Sequence, residues 1–209
     1  MKQTHASQER RSRSMARSFA NYYDKVMAPL EKRYITAWRK KLLKHAEGRV
    51  LEIGGGTGIN FPLYRNCEKV IAIEPNPHMI EKSIVRQKQA SVPIQLIESK
   101  AEKLPFTDQY FDTIVITLVL CSVDNMEQVI QECKRVLKPN GKLLVLEHVK
   151  MEQPVLAGLQ HLLTPAWKTI ADGCHLNRNP EELIEKYGFN IISRKKYLSS
   201  LVVSLIARK

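Results

Sequence analysis

The sequence predicts an α/β, doubly wound fold: a mostly parallel sheet of seven strands with helices on both faces and a helical cap at the N-terminus. Three observations carry this. Short apolar runs alternate with helical segments after Gly48, the pattern of parallel strands buried on both faces. The first run leads straight into a glycine turn, Gly54-Gly55-Gly56-Thr57-Gly58. The last two runs are separated by only Leu198-Ser199-Ser200, which makes them an antiparallel hairpin closing the edge of the sheet.

The elements follow in order. Residues 1–13 are polar, rich in Ser and Arg and without periodicity, and are expected to be disordered. From Ser14, Met15, Phe19, Tyr22, Tyr23, Val26, Met27 and Leu30 recur at helical spacing until Pro29 interrupts. A second helix is predicted over Glu31–His45, with Tyr34, Ile35, Trp38, Leu42 and Leu43 inward and Arg39, Lys40, Lys41 and Lys44 largely on the other face. Strands are expected at Val50–Ile53, Val70–Ile73, Ile94–Ile97, Thr113–Leu120, Leu143–Leu146, Phe189–Tyr197 and Leu201–Ala207. Helices are expected near Pro77–Gln89, with Asn76 as N-cap, and near Asn125–Leu137. This divides the chain into a basic tail and helical cap, 1–47, and a main domain, 48–209.

Composition narrows the function. The 209 residues are 44% apolar and 26% charged, enough for a core without disulfides. The longest apolar run, Thr113–Val123, is too short to cross a bilayer, and no signal peptide is recognisable. The four cysteines, Cys67, Cys121, Cys133 and Cys174, form no CxxC pair, so neither a metal site nor a disulfide framework is expected, and reduced thiols in a cytoplasm are. The net charge is +12, of which residues 1–49 supply +9. Such a tail attracts anionic lipid or nucleic acid, or serves only solubility. Nucleic acid is not expected, because no RNP, KH or zinc motif accompanies it and the aromatics are not interleaved with the basic run.

The glycine turn excludes two nucleotide motifs. A GxGxxG fingerprint requires a small residue where Ile59 or Phe61 stands, and a P-loop requires a following GK[ST]. The spacing that fits is Glu52-x-Gly54-x-Gly56-x-Gly58. Twenty residues beyond Gly54, Glu74 ends the second run, where a carboxylate can accept from two ribose hydroxyls. These features resemble motif I and its partner acid in class I S-adenosylmethionine (SAM)-dependent methyltransferases, a Rossmann-like fold. Ser99-Lys100-Ala101-Glu102-Lys103-Leu104-Pro105-Phe106 is similar to the "DAExLPF" segment of the same family, with Lys100 in place of its Asp. Phe111-Asp112 and Arg135-Val136-Leu137-Lys138-Pro139 resemble further motifs of its methyltransferase-11 group, over about residues 48–150 in all. The resemblance implies SAM as cofactor, held by Glu52, Gly54, Gly56, Gly58, Glu74, Pro75, Ala101, Glu102 and Thr117. Glu102 either replaces the lost Asp at the adenine or is merely solvated.

The acceptor is less defined. Glu74-Pro75-Asn76-Pro77, "TLVLCSVDN", "LEHV", "PAWK" and "DGCHLNR" resemble the membrane-associated alkyl-thiol S-methyltransferases and their bacterial relatives, which implies a small lipophilic acceptor with a thiol favoured. His148, Asp172 and His175 are the candidate catalytic residues: each could deprotonate a thiol or orient the base, or could simply line the pocket or fix the insertion. Cys121 and Cys174 read as small pocket-lining groups, since transfer from SAM needs no covalent intermediate. "FANYYDKVMAPLEK" with "GTGxNFPLY" instead resembles bacterial phospholipid N-methyltransferases, which suits a basic helix docked on an anionic membrane as a lid, with Tyr22 and Tyr23 near the cofactor. Quinone C-methylation, and SAM binding without catalysis, are the remaining alternatives.

Overall fold

The computed structural model describes residue 24 and residues 28–170 and 173–209. The expectations for residues 1–23 and 25–27, including Tyr22 and Tyr23 near the cofactor, and for Asp172 lie outside this range. A π-helical turn, Glu31–Ile35, runs into helix α1, Thr36–Leu43. The sheet then begins with β1, Gly48–Ile53, and β2, Cys67–Glu74, joined through the glycine turn and a 3-10 turn at Phe61–Leu63. Helix α2, Pro77–Gln87, leads to β3, Ile94–Glu98, and then β4, Phe111–Thr117. Helix α3, Met126–Val136, passes into β5, Leu137–His148. Two helices, α4 at Pro154–Ile170 and α5 at Pro180–Lys186, precede the hairpin β6, Asn190–Tyr197, and β7, Val202–Arg208.

The sheet order is β3-β2-β1-β4-β5-β7-β6. β1 to β5 are parallel, and β7 runs antiparallel between β5 and β6. The hairpin therefore inserts its second strand into the sheet and leaves β6 as the edge. The order reverses between β1 and β4, and doubly wound sheets bind ligands at such a point, beyond the carboxyl ends of the strands.

Both faces of the sheet are covered, which is why its strands read as continuous apolar runs. Leu51, Ile53, Ile114, Ile116, Leu143 and Val145 face α3 and α5. Val50, Val115, Leu144 and Leu146 face Ile35, Trp38, Leu42 and Leu43 of the N-terminal helix. Trp38 also stacks on Tyr197 of β6 with ring centroids 4.3 Å apart. Residues 31–43 thus belong to the same core as the main domain. The expected inward face of α1 is the buried one, but Arg39, expected among the outward cations, is buried as well.

β4 ends three residues earlier than its apolar run. Leu118 takes φ 59 and the chain leaves the sheet, while Val119 and Leu120 donate their N–H groups to Glu147 Oε1 at 2.6 and 2.9 Å. Leu120 and Cys121 stay buried, so the run continues as a packed loop. Helix α4 has no counterpart in the sequence reading. Its apolar residues give no single inward face: Val155 and Leu162 are 83% and 75% exposed. Gln160 secures it, accepting from Met151 N–H at 2.7 Å and donating to Val149 C=O at 3.1 Å.

Candidate active site: a cleft at the ends of the strands

At the carboxyl ends of the strands lies a cleft of about 1040 Å³. Its floor is the glycine turn. Gly54 and Gly55 donate to Ile73 C=O, both at 2.9 Å, which folds the turn back onto β2. Gly54 adopts φ 70 and would drive a Cβ into Val119. Gly56 adopts φ 52, and a Cβ there would meet nothing nearer than Gly54 C=O at 4.0 Å. The space above Gly56 is therefore open to the cleft.

Glu74 closes the end of β2. Its Oε2 accepts from Gly56 N–H and its Oε1 from Asn76 N–H, both at 3.0 Å. Asn76 caps α2 by accepting from His78 N–H at 3.0 Å. Pro75, Ala101, Glu102 and Thr117 line the same cleft. The Glu102 carboxylate accepts from Asp124 and Asn125 N–H at 2.9 and 3.4 Å, bracing the approach to α3, and Lys100 pairs with Asp124 at 3.0 Å.

Glu52 sits one layer below the cleft. It is 1% exposed and accepts from Asn60 Nδ2 at 2.9 Å and Tyr64 Oη–H at 2.8 Å. Burial pushes its carboxyl up to about 7, partly opposed by Tyr64, Asn60 and the nearby Arg39 charge. Arg39 joins this layer to the N-terminal helix. Its guanidinium donates to Asn60 Oδ1 at 3.1 Å and Thr117 Oγ1 at 2.5 Å, and pairs with Glu31 at 2.8 Å. A second tie comes from Asp24, which accepts from Thr57 Oγ1–H at 2.7 Å and Arg86 at 2.8 Å. Neither tie is legible in the sequence. Arg39 stands in a basic run with no local signal that it turns inward.

Leu118, Val119, Ser122, Val123 and Gly173 form one wall of the cleft, the candidate acceptor wall. The insertion is stitched to it. His175 donates its N–H to Cys121 C=O at 2.8 Å, with its Nδ1 3.1 Å from the same oxygen. Arg178 donates to Leu120 and Val123 C=O at 2.6 and 2.8 Å. Directly behind the wall, His148 Nε2 lies 2.9 Å from Cys174 Sγ, and Cys121 Sγ completes the group. The Cys174 thiol is held well below its usual range, first by the Cys121 thiol and then by the His148 ring and the Trp167 indole, against the effect of burial. Burial alone would lower His148, but its pairing with Cys174 and Glu147 raises it. Burial pushes Glu147 up to about 7. The structure therefore brings His148 and His175 to one wall, each already engaged.

A sheet of this order, with a glycine turn and a strand-end acid at its switch point, defines the Rossmann-like class I methyltransferases. Residues 51–145 match the family model described as a methyltransferase domain, Methyltransf_11. Thiol S-methyltransferase TMT1B of Homo sapiens is 32% identical over 194 residues, covering 87% of this chain and 80% of that protein. The Rattus norvegicus protein of the same name is 40% identical over 148 residues, covering 69% of this chain and 61% of its own length. The chain thus spans less than two thirds of the latter. Ubiquinone/menaquinone biosynthesis C-methyltransferase UbiE of Bartonella quintana is 30% identical over 187 residues, covering 81% and 72%. Among solved structures, a SAM-dependent methyltransferase of Thermotoga maritima superposes with a TM-score of 0.67 at 23% identity, covering 92% and 97%. The chain belongs to the SAM-dependent methyltransferases.

SAM is the methyl donor of this class, and the residues present fit it. The unobstructed Gly56 backbone, the Glu74 carboxylate facing the cleft and the cleft's volume all suit an adenosyl ligand.

Proposed function

We propose that the protein methylates a small lipophilic thiol. The observation that carries this is the acceptor wall: the loop after β4 and the insertion Gly173–Arg178, the segments that resemble the thiol enzymes, are locked together at one end of the cleft. Similarity to the TMT1B proteins supports the same reading.

SAM, when bound, supplies a methyl group on an electrophilic sulfonium. The rest of the work belongs to the chain. Glu74 and the glycine turn fix the cofactor's ribose and backbone-facing side, and Ala101 N–H is available to the adenine. The apolar side chains of Leu118, Val119 and Val123 exclude water from the acceptor and favour a lipophilic one. An acceptor thiol, ordinarily near 8.5, must lose its proton to become a good nucleophile. The Cys121–His148–Cys174 group behind the wall is a titratable cluster suited to that task.

The working location is proposed to be the cytoplasmic surface of an anionic membrane. The concentration of charge in residues 1–49 supports this, as does the exposed apolar side of α4 carrying Val155, Leu159, Leu162 and Trp167. No helix among the described residues is long and apolar enough to cross a membrane.

The test is an acceptor comparison with labelled SAM. Alkyl thiols should be methylated at rates at least about 10-fold above phosphatidylethanolamine vesicles and demethylated quinones. Preference for the amine lipid or the quinone overturns the thiol assignment.

A further inference from the structure

The three side chains behind the acceptor wall come from three separated parts of the chain. Cys121 lies in the loop after β4, His148 is the last residue of β5, and Cys174 belongs to the insertion. One ligand atom from each, two Sγ and one imidazole nitrogen, lie within 4.8 Å of one another. We propose that Cys121, His148 and Cys174 form a three-ligand site for a thiophilic divalent metal such as Zn2+, whose open fourth position accepts the thiolate of the methyl acceptor.

The donor set is that of a borderline-soft ion. Cys2His sites with an exchangeable fourth ligand bind zinc, with Zn–S near 2.3 Å and Zn–N near 2.0 Å. A tetrahedral ion with those bonds sets its donors about 3.5–3.8 Å apart. The cluster meets this with small movements: the His148–Cys174 approach of 2.9 Å opens by about 0.6 Å.

The backbone around the cluster is fixed independently of any ion. His175 N–H holds Cys121 C=O, Arg178 holds Leu120 and Val123 C=O, and Lys150 N–H donates to Arg178 C=O at 3.0 Å just beyond β5. The three ligands are thus presented by a strand end and two loops that these hydrogen bonds tie together. The interior around them is polar and incompletely satisfied. Glu147 Oε2 and His148 Nδ1 are buried without a hydrogen-bond partner among the described residues.

The position also suits the chemistry. Cys121 precedes Ser122, and Cys174 follows Gly173; both of these neighbours line the cleft. His148 and Cys174 are only partly buried, and the fourth position is assigned to their less buried side. On binding, the acceptor R–SH would give its proton to solvent and its sulfur lone pair to the metal. The ion stays divalent and nothing is oxidised or reduced. Metal coordination keeps the sulfur in its thiolate form well below the ordinary thiol range. This part rests on the thiol reading above.

The experiment uses the full chain, stripped of metal by a chelator and titrated with Co2+. The expected result is one equivalent bound, with sulfur-to-cobalt absorption in the near ultraviolet and tetrahedral bands in the visible, displaced by Zn2+. Cys121→Ser and Cys174→Ser should each weaken Co2+ binding by more than about 100-fold, beyond the usual effect of an outer-shell change. Cys67→Ser, remote from the cluster, should bind normally. SAM affinity measured on each variant confirms that it is folded. Adding an alkyl thiol should then shift the visible bands. Absence of thiolate–cobalt absorption, or its survival in both cysteine variants, overturns the site. Bands indifferent to alkyl thiol overturn the fourth-ligand role. Metal binding in a protein that methylates no thiol would sink the proposed function and leave the site standing; thiol methylation by a protein that binds no Co2+ would do the reverse.

Discussion

Replacing Glu52 by Gln should remove a defined part of the protein's pH-dependent stability. The carboxyl is 1% exposed, and burial raises it to about 7 from a reference of 4.5. The sign follows from which state keeps the proton. Between these values the unfolded chain has lost it and the folded chain retains it, so the acid's contribution is fully present below 4.5 and lost as pH rises through 7. Between pH 5 and pH 8 the expected loss is about 2–3 kcal/mol, at about 1.4 kcal/mol per pH unit of difference. Gln is nearly isosteric: its oxygen still accepts from Asn60 Nδ2, while its amide reverses the second contact and donates to Tyr64 Oη. The Glu52→Gln variant should therefore be about 2 kcal/mol more stable than the parent at pH 8 and close to it at pH 5. Urea unfolding at both pH values reads the difference. Equal pH slopes in the two proteins would refute a neutral Glu52.

Three further outcomes are expected. Arg39→Met leaves the Glu31 carboxylate buried and unpaired, and should cost about 3–5 kcal/mol, or roughly 10 °C in melting temperature; adding Glu31→Leu should recover part of it, and a loss below about 1 kcal/mol would show the pair to be dispensable. Gly56→Val fills the open space of the turn at a positive φ, and should abolish SAM binding in calorimetry while Glu74→Ala weakens it by about 1–3 kcal/mol; undiminished affinity in both would remove SAM from this cleft. Binding to anionic vesicles should fall as salt rises, and Leu162→Glu on α4 should reduce it at least about fivefold; equal binding to neutral vesicles would remove the membrane role.

Much of the sheet can be read from the chain because its chemistry is local. Val50–Ile53 and Val70–Ile73 are short, mostly apolar runs, the first ending at a glycine turn with positive φ at Gly54 and the second at Glu74, so strand, site and switch point are written together. Asn76 and Pro77 likewise announce the start of α2 within two residues. What stays hidden depends on residues far apart in sequence. Arg39 resembles its exposed neighbours until Thr117, 78 residues away, and Glu31 draw it inward. Helix α4 escapes because its apolar residues point outward and Pro165 interrupts its pattern. Spacing is the only guide to the cysteines in the sequence, and it is silent about Cys121, His148 and Cys174, which meet only once β4, β5 and the insertion are assembled.

The central claim is that this cleft transfers methyl to sulfur. Incubating the purified protein with SAM carrying a deuterated methyl and a simple alkyl thiol, then weighing the products by mass spectrometry, tests it directly. The account predicts a trideuteromethyl thioether formed one-for-one with S-adenosylhomocysteine, and its loss on His148→Ala with SAM affinity retained. S-adenosylhomocysteine formed only when an amine lipid or a quinone is supplied, with the thiol recovered unmodified, would contradict it.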